Sequence, residues 1–176
     1  LNPRKTIGET LTVPLKYLKH MNTSQRAKRL AELLAAVNMP IDALACYPHE
    51  FSGGQRQRIN VARALALNPK LIICDEPVSA LDVSIQAQVL NLFNRLQKEY
   101  NLTYVFISHD LGVIKHVSDR IAIMYLGRIV ELCDADKLYD NPLHPYTKAL
   151  LSAIPTESPF VKKERIVMKG DIPSPI

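Results

Sequence analysis

The spacing of apolar residues predicts helices, and no strand, in the first part of the chain. The clearest pattern spans Ser24 to Asn38, where apolar side chains recur every three or four residues and Ser24 is placed to act as the N-cap. Thr6 to Lys19 and Gln55 to Leu67 are also predicted to be helices, and an Asn-Pro pair ends the second of these. We therefore expect the first 67 residues to form an all-helical subdomain.

The pattern then changes to short apolar runs separated by helices. The runs "LIICDEP" (71–77) and "TYVFIS" (103–108) are typical of buried parallel strands, and Val83 to Tyr100 carries one apolar helical stripe. This order of elements indicates an α/β domain with a largely parallel sheet. The other predicted elements are a β-hairpin over 120–132 turning at Leu126 and Gly127, a helix capped by Asp110 and running through His116, and helices near Ala135 to Asp140 and Tyr146 to Ala153.

Composition narrows the class of protein. The chain has 176 residues, of which 47% are apolar and 22% charged, a globular rather than a disordered composition. No apolar run reaches the length of a membrane span and no signal peptide is visible, so cytosolic residence is the default expectation. The three cysteines are far apart and lack ligand spacing, which favours reduced thiols over a zinc site.

The net charge of +5 comes from the start of the chain. Residues 1–30 hold seven Lys/Arg and one acid, whereas the remainder holds 15 basic and 16 acidic residues. A basic segment of this kind faces nucleic acid, lipid headgroups or an acidic protein surface, or is simply a solvated helix face. Aromatic residues make up only 6% and no RNA-binding aromatic motif is present, which argues against nucleic acid.

Two acids end the first predicted strand. Asp75 and Glu76 follow "LIIC", at the strand end where α/β sheets place their ligands. Successive side chains point to opposite sides, so one carboxylate could hold Mg²⁺ while the other polarises an attacking water. Taken alone, the pair is equally compatible with a solvated acidic turn.

The stretch "FSGGQRQR" (51–58) places two adjacent glycines at the predicted start of the third helix. Ser52 can cap that helix, and glycines leave the first amides unshielded, an arrangement that binds anions such as phosphate. The alternative is a flexible hinge between two helices. The acidic pair twenty residues after Gln55 favours the phosphate hypothesis.

His109 follows the second predicted strand in "SHD". Three consecutive residues cannot align as a catalytic Ser-His-Asp relay, so a hydrolase triad is excluded. A lone histidine at a strand end is more often structural. Behind an acid-bearing strand, however, an imidazole that reaches a γ-phosphate is the better interpretation.

Taken together, these motifs resemble those of ATP-binding cassette (ABC) ATPases. "FSGGQRQR" is similar to their signature motif, "LIICDEP" to their Walker B motif, "SALD" (79–82) to their D-loop and "SHD" to their switch histidine, all in the family's order. The resemblance implies a P-loop NTPase-like α/β fold, with a helical signature subdomain at 1–69, the later part of the nucleotide-binding core at 70–133 and an extension at 134–176.

The resemblance also implies a role for each matching residue. Asp75 would position Mg²⁺, Glu76 would be the general base for the attacking water, and His109 would contact the γ-phosphate of ATP. Asp82 would act across the interface with a second cassette. The residues implied to contact the γ-phosphate of the nucleotide held by that partner are Ser52, Gly53, Gly54 and Gln55.

The chain departs from the family's pattern in two ways. Phe51 replaces the usual leucine, and none of the six glycines belongs to a phosphate-binding G-x-x-x-x-G-K-[ST] loop. The base-stacking aromatic and the Q-loop glutamine are also unmatched, and the chain looks cut just after the Q-loop. We therefore expect these 176 residues alone to bind ATP weakly and to hydrolyse it negligibly.

The segment "LYDNPLHPYTKALLSAIP" (138–155) resembles the extension of the oligopeptide, dipeptide and nickel importer branch. This implies a prokaryotic ATPase subunit at the cytoplasmic face of the membrane. Its partners would be permease subunits and a second cassette, with a substrate-binding protein acting indirectly and no nucleic acid involved. Peptide is favoured over nickel as cargo. The alternatives are a non-transport cassette acting on DNA or ribosomes, and a non-catalytic interaction fragment.

Overall fold

The computed structural model describes residues 1–17, 21–154 and 166. The chain forms two compact units, Leu1–Ile107 and a second that begins at Ser108. The sequence predicted divisions after residues 69 and 133 instead. That three-part division follows the motifs and stays a prediction.

The first unit begins with packed helices. Their apolar faces meet in a core whose side chains are almost fully excluded from solvent, among them Leu11, Leu34, Ile59 and Leu96. Burying several such side chains is the main source of stability for a helical layer. The helices are α1 (Ile7–Leu15), α2 (Thr23–Ala36), α3 (Gly53–Leu65) and α4 (Val83–Tyr100), with short 3₁₀ turns at Ile41–Ala45 and Pro48–Glu50 between α2 and α3.

The boundaries of α1 and α2 correct two predictions. The N-cap of α2 is Asn22 and not Ser24, because Asn22 and Gln25 exchange side-chain and backbone hydrogen bonds in a reciprocal capping box. Helix α1 ends at Leu15, before the predicted Lys19. Pro14 lacks the N–H that a continuing helix requires, which weakens the last turn. Residues 18–20, where that prediction ends, lie outside the described part of the chain.

Two arginines each donate hydrogen bonds to the C-terminal end of a neighbouring helix. The guanidinium of Arg29 donates to the carbonyl of Leu65 at 3.0 Å and also to the side-chain oxygen of Asn68. Arg95 of α4 donates to the carbonyl of Ala36. A cation that donates hydrogen bonds to the last carbonyls of a helix also interacts favourably with the helix dipole. These contacts therefore fix α2 against α3 and α4.

Strands β1 (Leu71–Asp75) and β2 (Thr103–Ile107) pair in parallel, from Leu71 opposite Thr103 to Asp75 opposite Ile107. The parallel pairing and the helix between the strands confirm the predicted α/β arrangement. Phe93 of α4 packs on β2, with its ring 5.3 Å from that of Tyr104 in an edge-to-face contact. Helix α4 therefore covers one face of the strand pair.

The other face of this sheet contradicts the prediction of fully buried strands. Ile73 is 66% exposed, and the apolar side chains beside it on the same face, Leu71, Val105 and Ile107, are each about half exposed. A continuous apolar run predicts burial on both faces. Within the described residues only one face is covered, so alternate side chains reach solvent.

The second unit is built on a β-hairpin. Strands β3 (Arg120–Tyr125) and β4 (Arg128–Asp134) are antiparallel, and the turn between them has positive φ at Leu126 (48°) and Gly127 (75°). Two consecutive residues of this kind match the right-handed twist of the strands, which confirms the predicted turn. The helices in the described part of this unit are α5 (Leu111–Val117), α6 (Ala135–Asp140) and α7 (Pro145–Ser152).

Glu131 attaches the segment before α7 to the hairpin. Its carboxylate accepts the backbone N–H groups of Leu143 at 2.8 Å and His144 at 3.0 Å. Burial raises the pKa of Glu131, but the hydrogen bonds to the ionised form outweigh it and leave that pKa below its usual value. The motif "NPLHPYT" is thus fixed by a charged contact in this unit, whereas most of the tail after it lies outside the described residues.

Candidate functional site

Helix α3 begins with a reciprocal cap. The hydroxyl of Ser52 accepts the N–H of Gln55 at 3.3 Å, and the side-chain oxygen of Gln55 accepts the N–H of Ser52 at 2.9 Å. The predicted cap is confirmed, and the helix begins at Gly53, two residues before the predicted start. The first amides of a helix have no acceptor within it, so the N–H groups of Gly53 and Gly54 are the ones an anion would take.

The two glycines also lie close to another part of the same chain. A Cβ atom at Gly53 would lie 3.0 Å from the Cδ2 of Leu81, and one at Gly54 only 2.4 Å from the Cγ2 of Ile85. The space that a side chain would occupy is therefore taken by α4 and the loop before it. The sequence missed this packing, and the predicted approach to a phosphate of a neighbouring cassette stays a prediction.

The acidic pair lies where the strand ends. Asp75 is the last residue of β1 and is exposed, and the N–H of Glu76 donates to the carbonyl of Ile107 at 3.0 Å, extending the pairing by one residue. Glu76 has a φ of 46°, in the left-handed region that residues other than glycine seldom adopt. Such a conformation costs energy, and at the end of a strand that carries acids it is one of the features that can mark a functional site.

The loop after Glu76 is fixed to α4. The hydroxyl of Ser79 donates to the carbonyl of Glu76 at 3.1 Å, and the side-chain amide of Gln86 donates to the carbonyl of Val78 at 3.0 Å. Val78 itself is buried. Asp82 is exposed and occupies the N-cap position of α4, but its side chain makes no capping hydrogen bond to that helix.

A cavity of about 400 Å³ lies between the start of α3 and the acidic turn. Gly53 and Glu76 both line it, although the resemblance assigns Gly53 to the nucleotide of the partner cassette, and so do Arg56 and Asn60 from the following turns of α3. The sequence did not single out Asn60, whose side-chain oxygen is buried without a hydrogen-bond partner in the described part of the chain. Its helical spacing from Gly53 and Arg56 is the signal that could have revealed it.

His109 belongs to the second unit, two residues after the end of β2, and its side chain is exposed. The next residue, Asp110, caps α5 by accepting the N–H groups of Gly112 at 2.8 Å and Val113 at 3.2 Å, as predicted. The position of His109 relative to the acidic pair stays a prediction.

Comparison with known proteins agrees with the motifs. Residues 1–79 match the family model described as "ABC transporter", and residues 130–175 match "Oligopeptide/dipeptide transporter, C-terminal region". The chain therefore contains an ABC transporter domain region followed by an oligopeptide/dipeptide transporter C-terminal region. No helix among the described residues has the length and apolar character needed to cross a membrane.

Two relatives and one solved structure illustrate the match. The chain is 58% identical to "Oligopeptide transport ATP-binding protein AppF" of Bacillus subtilis over 99% of this chain, and 54% identical to "Oligopeptide transport ATP-binding protein OppF" of Escherichia coli over all of it. This chain spans 54% of the length of each relative, which is about half. The structural match to the dimeric cassette MJ0796 bound to ADP and Pi covers 77% of this chain and 59% of that one, with TM-score 0.65 and 31% identity. The predicted cassette fold is thereby confirmed.

Proposed function

We propose that this chain is part of the ATP-hydrolysing subunit of a peptide importer. The two matched regions support this together: an ABC transporter domain, followed by the C-terminal region found in oligopeptide and dipeptide transporters. The subunit would act at the cytoplasmic face of a membrane with permease subunits and a second cassette. The relatives named above favour peptide over nickel as the cargo.

The conformation of Glu76 carries the proposal. Glu76 follows Asp75 at the carboxyl end of a parallel strand and has a strained left-handed conformation. It also lines one cavity with the start of a capped helix. A solvated acidic turn requires none of these features. Strain that the surrounding hydrogen bonds maintain is better explained by a side chain that must point in one direction.

Glu76 is the proposed general base, which takes a proton from the water that attacks the γ-phosphate of ATP. The Asp75 carboxylate would hold Mg²⁺. The fit is reasonable, because proteins usually bind this ion with one or two carboxylates together with the substrate's phosphates, and the exposed Asp75 leaves room for them. When bound, Mg²⁺ would neutralise part of the phosphate charge.

The remaining site residues are assigned to the phosphate and to the interface. His109 would donate a hydrogen bond to the γ-phosphate, and the exposed Asp82 would contact the second cassette. The capped start of α3 would bind the γ-phosphate held by that partner, because its unsatisfied amides and the helix dipole favour an anion. The residues in this last role are Ser52, Gly53, Gly54 and Gln55.

The test is Glu76→Gln in the assembled transporter. We expect ATP turnover to fall on the order of 100-fold or more, because the amide cannot accept the proton from water. ATP-driven pairing of the cassettes should persist, because glutamine keeps the length and shape of the glutamate side chain. Turnover is measured by phosphate release from the assembled transporter, and pairing by size-exclusion chromatography of the separate full-length ATPase subunit with ATP.

The matched control is Glu99→Gln, which removes a charge that forms an exposed ion pair with Arg95 on α4. It should leave turnover within about twofold of the wild type, as expected for an exposed ion pair of small energy. Wild-type turnover in the Glu76→Gln transporter would remove Glu76 from its assigned role.

A further inference from the structure

Gly54 is buried at the second position of α3, against α4. A Cβ atom there would lie 2.4 Å from the Cγ2 methyl of Ile85 and 3.9 Å from its Cβ, and the first of these distances is far shorter than carbon atoms tolerate. In a helix the side chain of isoleucine is held almost entirely in one χ1 rotamer, so this methyl cannot turn away freely. Any side chain at position 54 would therefore push α3 and α4 apart.

Ile85 is in turn connected to the acidic turn through its neighbours. The side chain of Gln86, the next residue, donates to the carbonyl of Val78, and the N–H of Leu81 donates to the same carbonyl at 3.1 Å. Ser79 then bonds the carbonyl of Glu76. Residues 76–86 are thus one continuous hydrogen-bonded segment, and the position of Ile85 is tied to that of Glu76.

We infer that Ile85 is a positioning residue: its methyl group fills the space left by the missing side chain of Gly54 and sets the distance between the start of α3 and the acidic turn. The effect on turnover rests on the proposed function. Gly54 is then required for packing within the chain, and the start of α3 cannot move independently of the segment that carries Glu76. The contact requires the branched methyl at Cβ of residue 85, not merely an apolar side chain.

The test uses that chemical detail in the assembled transporter. Gly54→Ala is combined with Ile85→Leu, which keeps the side-chain volume but removes the methyl at Cβ, and separately with Ile85→Val, which keeps that methyl. Each double variant is compared with its own Ile85 single variant. The readouts are kcat and KM for ATP, and the midpoint of thermal unfolding without nucleotide.

We expect Gly54→Ala to lower kcat roughly tenfold to 100-fold, because small misplacements of site groups have effects of this size, and to lower the unfolding midpoint. Ile85→Leu should restore most of both losses, whereas Ile85→Val should restore neither. The inference is overturned if leucine does not rescue, if valine rescues equally, or if Gly54→Ala behaves as the wild type. A wild-type transporter without ATPase activity refutes the proposed function instead, and the nucleotide-free midpoints then still decide the packing.

Discussion

The turn that starts α3 and the turn of the β3–β4 hairpin both contain a glycine, for opposite physical reasons. Gly127 has a φ of 75°, and a Cβ atom there would have no other heavy atom within 4 Å. Gly54 has no such φ, but a Cβ atom there would collide with Ile85. The hairpin glycine therefore supplies a backbone conformation, whereas the glycine of α3 supplies space.

The difference shows which glycines can be explained from the sequence. Two alternating apolar runs on either side of Leu126 and Gly127 are a local signal, and they predict the turn without any knowledge of the rest of the fold. Nothing adjacent to Gly54 reveals that a residue 31 positions later occupies its side-chain space. A glycine that makes room is explained only by its neighbours in three dimensions.

The largest expected effect comes from Gly54→Ala. Overpacking of a buried contact should destabilise the first unit by about 2 kcal/mol. Urea unfolding measures the loss, and hydrogen exchange locates it. Faster exchange should appear at the facing parts of α3 and α4 while the β3–β4 hairpin keeps its protection. An equal change in the hairpin would show that the two turns do not depend on separate local causes.

Local signals also separate the correct from the incorrect predictions elsewhere in the molecule. The bounds of α4 and the caps at Ser52 and Asp110 were predicted correctly, because each depends on residues within a few positions. The cap of α2 was misplaced, because Asn22 and Ser24 are both good caps and only the reciprocal bond with Gln25 decides between them.

Burial and the assembly of the site depend on distant contacts, and there the sequence was less informative. The apolar run of β1 predicted burial on two faces, yet Ile73 is exposed because coverage depends on what lies on the sheet. The resemblance assigned Gly53 and Glu76 to two different nucleotides, so the cavity that both line within this one chain was not predicted. The order of motifs could not show how α3 is held there, since Leu81 and Ile85 belong to no recognised chemical pattern.

The next largest effect is expected for Gly127→Ala. An alanine in the left-handed region should cost about 1 kcal/mol, because its Cβ atom crowds the following carbonyl even though the site is open. Gly127→Asn is the matched control, since asparagine tolerates this conformation better and should lose less. Hydrogen exchange in β3 and β4 reports both variants. If alanine and asparagine were equally destabilising, the conformational explanation of this glycine would be wrong.

The smallest effect is expected for Gly53→Ala. Because Gly53 is the neighbour of Gly54, this variant tests whether any glycine at the start of α3 is as sensitive as Gly54. A Cβ atom there would lie 3.0 Å from the Cδ2 of Leu81, the end of a flexible side chain that can turn aside. Replacing glycine by alanine within a helix also lowers the entropy of the unfolded chain, which offsets the crowding. We expect the free energy of unfolding to change by less than about 0.5 kcal/mol in urea. A loss as large as that of Gly54→Ala would mean that the whole start of α3 is tightly packed, and that Ile85 has no special part in holding it.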